Sequence, residues 1–137
     1  MKKIFKVAGI EIKNDKFLMV RKTGKDIWTN LGGKPEGDES SEEALRREVK
    51  EELGCGCEII EYLGEFENRA ALDDAIINIK AFVIKLNGEP KISDQELEEY
   101  RYIDQKDIEQ GIKLPLSVSR QLIPELIKKQ YLKWIRE

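Results

Sequence analysis

From Val7 to Lys13 the chain alternates, with Val7, Gly9, Glu11 and Lys13 interleaved with Ala8, Ile10 and Ile12, and this period of two predicts a strand. Asn14-Asp15 supplies a turn into Phe17-Leu18-Met19-Val20, so the two segments predict a hairpin. Ile27 to Leu31 is a shorter extended piece, after which Gly32-Gly33 and Pro35 to Gly37 predict a tight loop. The period then changes. Ser40 followed three residues later by Glu43 fits a capping box, the stretch Ser41 to Leu53 is rich in Ala, Leu, Arg and Glu, and Gly54 stands where a helix stops.

Beyond this helix, Ile59 to Phe66 and Ala75 to Leu86 predict longer strands, and Asn87-Gly88 predicts a turn leading to Lys91-Ile92. Glu99 to Ile103 predicts a further strand. Asp104 is placed to cap a short helix through Ile108, and a final helix runs from Ser117 to Tyr131 with Pro124 as a kink or break. Strands on both sides of one helix, plus a closing helix, predict an α/β sandwich with a mixed sheet. With 137 residues and no linker, repeat or low-complexity block, one domain over 1–137 is expected.

Hydrophobic residues make up 40% of the chain and charged ones 37%, a balance that folds and argues against disorder. No stretch approaches 18 consecutive apolar residues, and Glu11 and Asp15 interrupt the start before a signal-peptide core forms, so a cytoplasmic protein without a membrane partner is expected. The net charge of −3 gives no general attraction to nucleic acid, so any phosphate must be met locally. Histidine is absent, which excludes Ser-His-Asp and Cys-His catalysis and His-containing zinc sites. Proton transfer and metal binding therefore fall to carboxylates. Cys55 and Cys57 are too close for an ordinary staple and too few for zinc; they read as reduced packing residues, with a redox pair as the competing reading.

On the Ser41 to Leu53 helix, Glu48, Glu51 and Glu52 fall on one side, because offsets of three and four return to the same face. Leu45, Val49 and Leu53 form an adjacent apolar stripe that can pack on a sheet and hold the carboxylates at a cleft edge. Like charges so placed repel unless compensated, and hard divalent cations prefer such oxygens, which points to Mg²⁺ or Mn²⁺. A solvated acidic face is the alternative for the helix taken alone.

The longer register decides between them. Gly33, Glu39 and Arg47-Glu48-Val49-Lys50-Glu51-Glu52-Leu53-Gly54-Cys55 resemble the signature of the Nudix (MutT-like) hydrolase superfamily, Gly-x5-Glu-x7-Arg-Glu-U-x-Glu-Glu-x-Gly-U, with U a bulky apolar residue. All seven fixed positions match, and the departure is Cys55 at the last apolar one. The resemblance implies a Nudix-type α/β/α sandwich with a mixed β-sheet, with Glu48, Glu51 and Glu52 as metal ligands and Glu48 orienting or deprotonating the attacking water. It also implies that the Gly32 carbonyl faces the metal and that Arg47 and Glu39 brace the loop against the helix. An Arg fork that holds a carboxylate bidentately makes physical sense of that brace.

The family commonly adds a Glu ahead of a late strand reading Glu-x-x-x-x-Arg-Trp. Glu96 to Tyr102 matches with Tyr for Trp, making Glu96 the first choice as additional ligand or base, with Glu98 and Glu99 competing. For substrate, Lys34 after the glycines and Arg21 and Lys22 at the end of the second strand are cations within reach of a cleft, and Trp28 is either a stacking platform or a sheet aromatic. Lys128, Lys129, Lys133 and Arg136 read as a solvated helix face.

The implied activity is Mg²⁺-dependent hydrolysis of a phosphoanhydride in a nucleoside diphosphate linked to another group, by a monomer or homodimer acting on small nucleotides. Family markers for ADP-ribose (a Pro where this chain has Ala70) and for dinucleoside polyphosphates (a Tyr where it has Ala71, Leu72 and Asp73) are missing. A nucleoside triphosphate, ordinary or modified, is therefore the expected substrate. The alternatives are those two classes or a non-catalytic nucleotide sensor.

Overall fold

The structure, a computed structural model, describes residues 2–69 and 74–135; the marker positions 70–73 and Arg136 lie outside them. The elements in chain order are β1 (Lys2–Lys13), β2 (Lys16–Lys22), β3 (Trp28–Thr29), β4 (Leu31–Gly33), α1 (Ser41–Leu53), β5 (Cys57–Arg69), β6 (Ala75–Leu86), β7 (Leu97–Ile103), α2 (Gln105–Glu109) and α3 (Ile123–Lys128). A π-helical turn, Val118–Leu122, leads into α3.

β1 is the axis of a mixed sheet. One edge pairs parallel with β6 from Lys2 opposite Ala75 to Glu11 opposite Ile84, and β5 lies antiparallel outside β6. Its other edge is shared: β4 takes Val7 to Gly9, and β2 takes Ile12 and Lys13 before running on to pair with β7 and β3. The expected single piece from Ile27 to Leu31 is thus two strands. Thr29 pairs with Val20 on β2, Leu31 pairs with Gly9 on β1, and Asn30 carries the chain from one edge to the other. Gly32-Gly33, expected in a loop, belongs to β4 because β1 still has unpaired edge there to satisfy.

Helices cover both faces of the sheet. Ala44, Leu45, Val49 and Leu53 of α1 pack with Val7, Leu18, Val20, Phe82 and Ile84. Val118, Leu122, Ile123 and Leu126 pack with Ile10, Phe17, Met19, Ala81 and Val83 on the opposite face. Adjacent strand residues therefore go to different cores, so the run Val7 to Glu11 is buried throughout and loses its solvent side. This is the α/β/α sandwich with a mixed sheet that the sequence predicts.

α1 has the capping box, with the Glu43 N–H donating to Ser40 Oγ at 3.1 Å and the Ser40 N–H to Glu43 Oε1 at 2.9 Å. Lys91-Ile92 forms no strand. It serves the other end of α1, where the Lys91 and Ser93 N–H groups donate to the carbonyls of Leu53 and Glu52, both at 2.9 Å. Asp104 caps α2. The predicted last helix is not broken at Pro124, which sits in the first turn of α3; its ring crowds the preceding turn, where the Ile123 N–H reaches Val118 and widens the helix, and the helix ends at Lys128, short of Tyr131. Cys57 is buried and Cys55 partly so; both are free thiols raised by burial, in keeping with packing.

After α3 the chain docks rather than continuing as helix. Trp134 packs against Phe17 with ring centroids 5.7 Å apart, and its indole N–H donates to the Asp15 carbonyl at 2.8 Å. Trp134→Ala is expected to lower unfolding free energy by about 3–5 kcal/mol, the usual range for emptying an aromatic site. Urea titration checks this; a loss under about 1 kcal/mol would show that the tail adds little to the core.

Candidate active site

Arg47 ties the loop before α1 to the helix. Its Nε and Nη2 hold the two Glu39 oxygens at 2.8 and 3.0 Å, and Nη2 also donates to the Lys34 carbonyl at 3.1 Å. Glu39 Oε1 in turn accepts the Glu36 N–H at 2.8 Å. Arg47 first, then that N–H, holds the Glu39 carboxyl below its usual range. The remaining arm, Nη1, reaches Glu48 at 3.1 Å and Glu51 at 3.3 Å.

β4 runs between β1 and this carboxylate face. A Cβ on Gly32, whose φ is +129°, would lie 2.0 Å from the Val7 carbonyl oxygen, and one on Gly33 would lie 2.6 Å from the Glu48 carboxylate. Only a strand bare of side chains fits. The Gly32 N–H then donates to Glu52 at 2.9 Å. It is the sole hydrogen bond that the Glu52 carboxylate receives among the described residues.

Glu52 is 8% exposed, and burial, reinforced by Glu48 and Asp94 and opposed by the Gly32 N–H, pushes its pKa up to about 8. Burial also raises Glu48, against the pull of Arg47. Glu51 is the most exposed of the three. The carboxylates do not close on one point: among the described residues no three His, Cys, Asp or Glu side chains gather as a ready-made ion cage. Like charges separate, and Arg47, the nearest counter-charge, draws Glu48 and Glu51 while Glu52 faces the cleft. An all-oxygen donor set with one desolvated, under-neutralised carboxylate fits a hard divalent cation.

The cleft has a volume of about 420 Å³. Glu52 and the β4 main chain form one wall, Ile77, Ile79 and Leu97 supply apolar surface, and Lys6, Lys22 and Lys34 line it as cations. None of these lysines is in an ion pair among the described residues. Burial, then Lys22 and Lys34, holds the Lys6 ammonium below its ordinary value. The sequence reading missed Lys6, although a signal exists: carried back along β1, the alternation puts Lys6 in phase with the apolar Ala8, Ile10 and Ile12, on a face where a lysine is out of place. A second depression of about 410 Å³, around Asn14, Lys16 and Gln105, lies away from the carboxylates.

The other candidates are placed differently. Lys34 lines the cleft, but Trp28 is 6% exposed inside the α3-side core and has no face free for stacking. Arg21 lies 5.7 Å over that ring and is bound to Glu98, to Glu99 at 2.7 Å and to the Lys25 carbonyl at 2.7 Å, so it does not line the cleft. Glu98 and Glu99 are committed to that pairing. Glu96 is exposed, with its N–H on Asp94 at 2.8 Å and its carbonyl accepting the Thr23 N–H at 2.9 Å. Its neighbour Leu97 lines the cleft, and Glu96 itself does not. Asp94, not singled out from the sequence, is the late-segment acid that acts on Glu52.

A carboxyl whose folded pKa is raised favours folding while protonated, and that contribution is full below about 4.5 and lost as pH rises through about 8. Glu52→Gln keeps an oxygen for the Gly32 N–H and removes the charge. In metal-free buffer the melting temperature of wild type relative to Glu52→Gln should therefore fall as pH rises from 5 to 8.5. A pH-independent difference in differential scanning fluorimetry would refute the raised pKa.

The sequence and fold of known proteins agree with this arrangement. The NUDIX domain family profile matches residues 3–126. The CTP pyrophosphohydrolase of Escherichia coli (strain K12) is 35% identical over 75 residues, 52% of this chain and 56% of that protein. A MutT-like protein of Streptomyces ambofaciens is 36% identical over 63 residues, 45% of this chain and 41% of that protein. The chain thus spans about half the length of the curated relatives it matches. The solution structure of the E. coli ORF135 protein superposes with a TM-score of 0.71 at 28% identity, covering 97% of this chain and 92% of that one. The MutT protein of Methanosarcina mazei Go1, at 22% identity and a TM-score of 0.76, covers 94% and 96% and shares the fold. With seven signature positions running from the end of β4 through the loop to the C-terminal cap of α1 and a profile match from β1 into α3, the chain belongs to the NUDIX domain family.

Proposed function

We propose that the chain hydrolyses a phosphoanhydride bond in a nucleoside diphosphate linked to another group, with a nucleoside triphosphate cut to the monophosphate and pyrophosphate as the preferred class. The observation that carries this is one cleft with a desolvated carboxylate on one wall and three unpaired lysines along the others. That polarity suits a ligand with several phosphate charges next to a cation. The printed name of the E. coli relative, a CTP pyrophosphohydrolase, supports the triphosphate class.

In this reading Glu48, Glu51 and Glu52, with the Gly32 carbonyl, hold Mg²⁺ or Mn²⁺, and Glu96 is the additional ligand or base. A divalent cation bound there neutralises phosphate oxygens and lowers the pKa of water. Lys6, Lys22 and Lys34 bind the phosphate oxygens and orient the chain of phosphates. Glu48, raised by burial, accepts the proton of the attacking water as its oxygen bonds to phosphorus; the anhydride P–O bond breaks, and pyrophosphate leaves with the bridging oxygen. Arg47 touches no substrate; it sets the angle of Glu48 and Glu51 and pins the 34–39 loop.

A panel of nucleoside triphosphates, ADP-ribose and dinucleoside polyphosphates, assayed with Mg²⁺ and resolved by chromatography, tests the substrate class. If ADP-ribose or a dinucleoside polyphosphate exceeded every triphosphate about tenfold in kcat/KM, about 1.4 kcal/mol of transition-state preference, the ranking would fall. Binding without turnover would make the chain a sensor. On the best substrate Glu52→Gln should lower kcat by about a hundredfold or more, and Glu96→Gln should cost far more than Glu98→Gln, which weakens one of the bonds of Arg21 and leaves those to Glu99 and the Lys25 carbonyl. Equal mild losses from both would return Glu96 to the solvated loop. Lys6→Met should raise KM several-fold with little change in kcat; an unchanged KM removes Lys6 from phosphate binding.

A further inference from the structure

Asn30 stands at the single-residue step between β3 and β4, its backbone fixed by Thr29 on β2 and Leu31 on β1. Its carboxamide oxygen is closed off from solvent and has no hydrogen-bond partner among the described residues. Asn30 as a whole is partly exposed, and its amide nitrogen donates to no protein group among the described residues. The oxygen lies beside a void of about 10 Å³ walled by Phe66, Ile79, Ala81 and Leu122, with the Ser117 hydroxyl the one polar side-chain group there besides Asn30. Ser117 makes no capping bond. Both residues also line the main cleft, together with Ile77, Ile79 and Leu97.

A buried amide oxygen left without a donor destabilises the fold, and packing gives no reason for it where Leu would fill the same volume. Its terminal torsion is two-fold and soft, so a half-turn exchanges oxygen and nitrogen within the space already occupied. Either end can then be offered to the cleft. The cleft thus offers two chemistries: lysines and Glu52 for phosphates, and aliphatic side chains with an uncommitted carboxamide. The second chemistry suits a nucleobase, which presents donor and acceptor side by side on its edge between two apolar faces.

We propose that Asn30 is the residue that reads the base of the substrate, its carboxamide turning to pair with the base edge while Ile77, Ile79 and Leu97 cover the ring. This rests on the nucleotide reading of the same cleft and assigns it a specificity determinant. The pairing is paid for only when a base brings the missing partners, so a group of the same shape without polar atoms should bind every base alike.

The test uses binding as well as turnover. Affinities of the α,β-methylene analogues of ATP, CTP, GTP and UTP are measured by calorimetry with Mg²⁺, and hydrolysis of the four natural triphosphates is measured in parallel, for wild type, Asn30→Leu and Asn30→Asp. Wild type should separate the best base from the worst by at least about tenfold, and Asn30→Leu should compress the spread to within about threefold. Asn30→Asp, which keeps acceptors and loses the donor, should shift the ranking towards GTP, whose base presents two adjacent N–H donors, and away from bases that need a donor from the protein. The melting temperature of Asn30→Leu should equal or exceed that of wild type. A wild-type ranking that survives in Asn30→Leu, or no ranking in wild type, overturns the inference while leaving the hydrolase reading in place. A fall in melting temperature with uniform weakening of all four analogues also overturns it, since that is a structural role. A ranking in binding that Asn30→Leu abolishes, in a protein that hydrolyses none of the four, sustains Asn30 as the base reader and defeats the hydrolase reading.

Discussion

The main chain of Gly32 and Gly33 passes between the Val7 carbonyl and the carboxylates of Glu48 and Glu52, and no side chain fits in that passage. From this close approach the rest follows. β4 can take up the edge of β1 that β2 leaves free, α1 can lie close enough for Glu52 to accept a strand N–H, and the split between β2 and β4 opens the cleft. A Cβ at Gly32 would push against backbone, which cannot yield as a flexible side chain can. The helix is then held at a fixed distance by main chain on one side and by the Arg47-Glu39 fork on the other.

That framework sorts charge within a protein whose net charge is only −3. Carboxylates gather at the α1 wall, and Lys6, Lys22 and Lys34 come from three different strands or their ends to the same cleft. Each set is crowded by its own kind: Glu48 and Asp94 raise Glu52, and Lys22 and Lys34 lower Lys6. A ligand that brings phosphates together with a cation relieves both strains at once, whereas either alone relieves one. Local field, not net charge, selects the ligand.

How much of this could be read from the chain depended on the range over which each signal acts. The capping box of α1, its Gly54 stop and the Arg47-Glu39 pairing involve residues within a few turns of one another, so spacing revealed them. The sandwich followed from element order. What the sequence hid was decided by distant partners. Trp28 is a core residue because α3 covers its face of the sheet, and Arg21 is occupied because β7 brings Glu98 and Glu99 beside it. Lys91 and Ser93 give up strand pairing to serve carbonyls at the end of α1. Asn30 looked like part of one extended piece; only the transfer between two strand edges shows why that residue is isolated, and only packing shows that its oxygen lacks a donor.

Two buried glutamates separate structure from chemistry. Glu11, 2% exposed, is better enclosed than Glu52, yet its oxygens receive the Leu86 N–H at 2.5 Å and the Tyr102 hydroxyl, with Lys13 at 3.8 Å. It is a buried charge whose bonding is met, and it pins β1 to β6 and β7. Glu52 has one N–H, two acidic neighbours and a pKa of about 8. Burial is common to both; unmet bonding is not. The same distinction holds for Asn78, buried with its amide on Glu65 and Glu67, against Asn30 with nothing. Deficits of this kind work against folding: among the described residues the Asn30 oxygen is the buried side-chain polar atom left without a partner, and it lines the same cleft as the desolvated Glu52 and the crowded Lys6, where a ligand can make good all three.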